Sequence, residues 1–213
     1  MKQYEQVLLE AVALNKRKNE IADQLIRQIG TPKNRNSPNH GITAVAKTFL
    51  LSGYKLSGQI LDSVRLGHLL IAVLGVRPLF ELTINSIYTF NHPKHTRNYK
   101  HMRRVCKDII RITNRKRNVN HAFIDGKHLK ERVQQIGLSS FYRNNYRGLS
   151  DWSHIMMRTP YISRQVEGEK FGVGVVIQAL CLSHDIIDSI SEGFGCEIHK
   201  QWEADLRTFR DKY

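Results

Sequence analysis

Long stretches of this chain run fifteen or more residues with neither glycine nor proline, and within them apolar side chains return every three or four positions. A chain that is seldom allowed to turn and keeps that rhythm is confined to long amphipathic helices. Only 14 glycines and 5 prolines punctuate the 213 residues. A hydrophobic share of 41% beside 24% charged residues supplies a real core, which excludes wholesale disorder and collagen-like repetition. No internal repeat or low-complexity tract is present, and the length suits one domain with appendages. The expected fold class is all-α.

Residues 3–28 predict an amphipathic helix with Val7, Leu8, Ala11, Leu14, Ile21, Leu25 and Ile29 on one face, closing at Gly30 before a flexible polar link, TPKNRNSPNHG. From Ile42 to Leu74 the helical spacing continues, and Gly75 with Pro78 predict the turn into a second helix, giving a helical hairpin. Further helices are expected over 97–118, 139–158, 170–191 and 197–211, separated by FIDGK, by TPYIS and by Gly193 and Gly195. Val173, Val175, Val176 and Ile177 could begin a buried strand, but the continuation IQALCLSHDIIDSI fits a core helix better.

Of the net charge of +14, thirteen basic against three acidic residues leave +10 within residues 91–132 alone. Like charges so crowded repel one another unless a polyanion such as RNA, DNA or a membrane surface makes use of them. Arg103, Arg104, Lys107, Arg111, Arg115, Lys116 and Arg117 are therefore the candidate nucleic-acid-binding residues, with five histidines and Tyr99 in the same stretch. The plainer alternative is a solvated basic helix and loop.

The chemistry is concentrated in FYRNNYRGLSDWSH, residues 141–154. Arg147, Ser150, Asp151 and His154 fall at i, i+3, i+4 and i+7 and share one helical stripe, while Leu149, Trp152 and Met156 occupy another face. Arg147 and His154 would stand about 10 Å apart along such a helix, a span that lets two flexible side chains close on a phosphodiester. A guanidinium can hold two phosphate oxygens, and an imidazole exchanges a proton at neutral pH. In RNA cleavage His154 would take the proton of a ribose 2′-hydroxyl as it attacks phosphorus, and Arg147 would stabilise the charge that develops. The product would be a 2′,3′-cyclic phosphate, and no metal or other cofactor is called for. The alternative is a surface helix with an Arg147–Asp151 pair and a solvated His154.

Arg147 followed after six residues by His154 resembles the Arg-x(4 to 6)-His motif of HEPN-domain proteins, with Gly148 where many members carry a polar residue. The wider pattern, Arg77-Pro78-Leu79-Phe80-Glu81 on an early helix and Tyr146 to His154 later, is similar to an uncharacterised prokaryotic helical family often grouped with them, over about residues 42–191. That resemblance implies a HEPN-like helical bundle (42–191), to which the periodicity adds an N-terminal helix (1–30), a linker (31–41) and a C-terminal helix (192–213). It also implies a metal-independent endoribonuclease of toxin or antiphage defence systems, with RNA as substrate. A homodimer pairing the motifs across a two-fold axis is implied as well, and an antitoxin or defence-system partner is a further expectation. Tyr146, Ser150 and Asp151 would support the motif. Arg77 and Glu81, charged at i,i+4 in an apolar helix, need partners there. Glu81 either orients Arg147 or His154 or pairs with Arg77 for packing alone.

Two other function classes compete. A catalytically inactive helical adaptor could bind RNA or protein through the basic region. A metal-dependent HD-type phosphohydrolase could use His184, Asp185, Asp188 and His154, although the remaining ligands are not evident. Loop histidines such as His92 and His95 follow no familiar zinc spacing. Cys106, Cys181 and Cys196 form no C-x-x-C pair, which suits a reducing compartment. Glu10 interrupts the apolar stretch from Val7 to Leu14, and charges interrupt Leu66 to Phe90, while Phe171 to Leu182 is short for a bilayer. The expectation is a cytoplasmic protein without a membrane anchor.

Overall fold

On the first helix, Val7, Ala11, Leu14, Leu25 and their neighbours form an apolar stripe that has to be covered, and the rest of the chain supplies the cover. The computed structural model describes residues 2–29, 38–91, 126–146, 168–197 and 200–213. Every regular element among them is helical: α1 (Lys2–Gln28), α2 (Pro38–Arg65), α3 (Leu69–Phe90), α4 (Gly126–Gln135), α5 (Ser139–Phe141) running into a π-helical turn (Tyr142–Tyr146), α6 (Glu169–Phe194) and α7 (Lys200–Lys212). The all-α expectation holds for these residues. The predicted helix over 97–118 lies outside them.

Helices α2, α3 and α6 pack pairwise into the centre, α1 lies on α2 and α6, α4 lies on α3, and α7 lies on α1 and α6. Val76, Leu79, Phe80, Ile84 and Ile190 are fully buried where α3 meets its neighbours. Hydroxyls knit the α3–α6 seam: Thr83 Oγ1 donates to the carbonyl of Leu182 at 3.0 Å, and the Ser86 and Ser189 hydroxyls lie 2.6 Å apart. Both α3 and α6 are long and apolar enough, by length and composition, to cross a membrane. Here about half of each is buried against other helices, and α6 is longer than the run from Phe171 to Leu182 suggested.

Several boundaries differ from expectation. The hairpin between α2 and α3 turns at Gly67, not at Gly75 and Pro78. Gly67 adopts φ +76°, its N–H bonds the Val64 carbonyl at 3.0 Å, and the His68 N–H reaches the Ser63 carbonyl at 2.8 Å. That left-handed wrap closes a helix and needs glycine. Gly75 instead lies within α3 where it crosses α2: a Cβ there would come within 2.8 Å of Ile60 Cγ1. Pro78 is accommodated inside α3 on its exposed side, where water can serve the backbone carbonyl it leaves unbonded. Gly193 is likewise inside α6, against Phe90, and the helix ends at Gly195.

Helix α2 begins at Pro38, within the stretch expected to be a link, since proline is tolerated in a first helical turn. Helix α4 was not foreseen. Leu129 and Val133, spaced i,i+4 and buried, are its signal, and Gly126, expected in a separator, is its first residue.

Candidate functional site

Phe80 in the middle of α3 organises the surroundings of the site. Its ring stacks on Phe141 at 5.2 Å between centroids and lies 5.5 Å from the ring of Tyr146. Tyr142 stacks on Tyr146 at 4.8 Å. The described part of the helix expected over 139–158 is thus one α turn followed by a π turn, which seats three aromatic side chains around one ring.

Packing against Phe80 brings the Tyr146 hydroxyl to the pair on α3. Tyr146 donates to Glu81 Oε1 at 2.7 Å, Arg77 Nε donates to the same oxygen at 3.2 Å, and Arg77 Nη2 donates to the Tyr146 hydroxyl at 3.1 Å. The guanidinium carbon also sits 5.4 Å from the Tyr146 ring centroid. Glu81 is only 7% exposed, so its carboxylate is stabilised by donors and not by water. Burial pushes the Tyr146 phenol up, and the Glu81 carboxylate pushes it further; Arg77 opposes them without prevailing. Tyr142 is raised by burial and by Glu81. Burial works against the Arg77 charge, but Tyr146 and Glu81 outweigh it and hold the guanidinium above its ordinary value.

The reading of Arg77 and Glu81 as an internal pair is therefore extended by a third member, Tyr146. The phenol stays protonated at neutral pH and serves as an anchor. Glu81 is enclosed by its donors, which suits positioning more than proton transfer. Arg147, Ser150, Asp151 and His154 lie outside the described residues, as do Arg103, Arg104, Lys107, Arg111, Arg115, Lys116 and Arg117. Of the sequence-derived site, the structure brings together Arg77, Glu81 and Tyr146.

The HD-type ligand set fares differently. His184 packs its ring 5.0 Å from that of Trp202 on α7, and its Nδ1 is buried without a hydrogen-bond partner. Burial lowers its pKa, against the raising effects of Asp188 and Glu203. Asp185 is pushed up to about 7 by burial and by Asp188. Among the described residues no group of three or more His, Cys, Asp or Glu side chains could hold a metal.

Two features were missed in the sequence. Lys18 is buried on α1 among apolar neighbours. It lies four residues after Leu14 and four before Ala22, so the helical stripe itself was the signal. Between α1 and α7 runs a cleft of about 330 Å³, floored by Ala13, Leu14 and Phe209. Glu10 pairs with Lys212 at one end (2.8 Å), and Arg17 pairs with Asp205 at the other. The partners ascend one helix as they descend the other, so α1 and α7 run antiparallel. No protein-family model, curated protein or solved structure matches this chain.

Proposed function

We propose that this chain is a metal-independent endoribonuclease of HEPN type, with His154 exchanging protons and Arg147 stabilising the phosphate. One observation carries the reading: the Tyr146 hydroxyl is fixed by Glu81 at 2.7 Å and by Arg77 at 3.1 Å. Tyr146 is bonded to Arg147, whose α-carbon therefore follows about 3.8 Å along the chain. A residue that must meet a phosphate with little freedom gains from a neighbour held on a core helix. The π turn that delivers Tyr146 is a local irregularity of a kind found often at working sites.

In the reaction, the 2′-oxygen forms a bond to phosphorus as its proton passes to His154. The bond to the 5′-oxygen breaks, and that oxygen leaves with the proton that His154 gives back. Arg147 neutralises charge on the non-bridging oxygens. Ser150 and Asp151 support the pair, and the basic stretch 91–132 attracts the RNA. We place the protein in the cytoplasm, as a toxin or defence component that pairs with a second copy and answers to an antitoxin or system partner. The exposed cluster Leu66, Leu70, Ile71 and Leu74 on the α2–α3 hairpin supports such pairing.

The test is cleavage of an RNA oligonucleotide by the purified chain in excess EDTA. Expected are 2′,3′-cyclic phosphate ends, no cut at a 2′-deoxy position, and losses of about 100-fold or more for both R147A and H154A. Turnover that needs a divalent metal would favour the HD-type reading, and RNA binding without turnover would favour the adaptor.

A further inference from the structure

Lys18 takes a place on α1 that an apolar side chain would fill. It is 1% exposed, its Nζ donates to Asn15 Oδ1 at 2.8 Å, and it also donates to Ser57 Oγ on α2. The polar groups around it among the described residues are Asn15 and Asn19 from α1, Tyr54 and Ser57 from α2, and Ser183 from α6. The Tyr54 phenol is the one titratable group among these, and none of them carries a carboxylate to answer an ammonium. A neutral amine has two N–H donors, and Asn15 and Ser57 accept both; an ammonium has a third.

Asn19 Oδ1 is buried without a hydrogen-bond partner. Beside it Ala22, Leu50, Gly53, Ile186 and Ile187, with Lys18, Asn19, Tyr54 and Ser183, line a cavity of about 10 Å³, so the surroundings are mostly apolar and offer the charge little. Burial, with no charged group contributing, lowers the amine to about 7.

We propose that Lys18 is a proton-operated latch: the neutral amine pins α1 to α2, and uptake of a proton, which adds an N–H that Asn15 and Ser57 do not accept, weakens the docking of α1. The sign follows from linkage. An unfolded lysine holds its proton up to about 10.5 and the folded one only to about 7, so between these values the unfolded state binds more protons. Stability therefore rises with pH across that window, by up to about tenfold in the folding constant per pH unit, and the penalty is complete below it.

Two measurements on the full chain test the latch. In the first, the Nζ resonance that K18M removes is followed by NMR through a pH titration; a midpoint near 7 is expected, and an ordinary lysine midpoint overturns the proposal. In the second, urea unfolding of the native chain and K18M is compared at about pH 7 and pH 9.5. The native chain should gain stability over K18M's own change, because groups other than Lys18 titrate alike in both. K18M should also be the more stable at pH 7, with its gain in amide-exchange protection covering α1. Equal pH dependence in the two chains, or no gain in α1, overturns the latch. If K18M does not fold, the NMR titration decides, with the lysine assigned through its contacts to Asn15 and Ser57.

Discussion

Glu81 accepts from two side chains that are far apart in sequence, and this doubling makes Tyr146 more than a packing residue. Replacing it by phenylalanine keeps the ring on Phe80 while removing one donor to Glu81 and one acceptor of Arg77. Y146F should therefore lower stability by about 1–3 kcal/mol in urea unfolding, the range for leaving a buried polar group short of a partner; a change near zero would show that the hydroxyl is not held. The Arg77–Glu81 spacing was readable as i,i+4, and Tyr146 had been placed beside the motif. Their meeting was not readable, because it depends on how Phe141, Tyr142 and Tyr146 settle around Phe80. Lys18 shows the opposite limit: its position on the α1 stripe is visible in the sequence, but a lysine there carries no apolar signal to mark it as buried.

Among the elements, a glycine in the sequence signals either a turn or a close approach, and spacing does not distinguish the two. Gly67 makes the turn and Gly75 the approach, which is why the hairpin was expected eight residues too late. Two substitutions of helical glycines separate a close approach from open space by their sign. Gly75→Ala pushes a methyl group against Ile60 and should destabilise by about 1–3 kcal/mol, as overpacking does. Gly58→Ala, on α2 with nothing within 4 Å of its Cβ, should stabilise by up to about 1 kcal/mol through helix propensity. Thermal or urea unfolding reads both, and loss of stability in Gly58→Ala would contradict the helix packing described. Helix periods themselves were legible for α1, α6 and α7, whose apolar stripes are long. Helix α4 was overlooked because ten residues carry few repeats of its pattern.

Across the whole molecule, the excess positive charge is concentrated in one stretch of the chain, so attraction to RNA should be largely electrostatic. Engagement of the seven candidate cations by single-stranded RNA predicts that log affinity falls with log salt at a slope of about −5. Filter binding or fluorescence anisotropy over a salt series measures it, and a slope near zero would remove the basic stretch from binding. All-helical architecture was legible at this scale because breakers are scarce and apolar periods long. The joint disposition of the seven described helices was not, since it follows from contacts such as Thr83 to Leu182 that join residues about a hundred positions apart.

The clasp between α1 and α7 ties the first helix to the last: Lys212 and Tyr213 both bond Glu10, and Trp202 donates its indole N–H to the backbone of Leu14 at 3.1 Å. Neither end can peel away alone, because loosening one unclothes the other. Synthesis from the ribosome consequently leaves this face of α1 bare until α7 has emerged, about two hundred residues later.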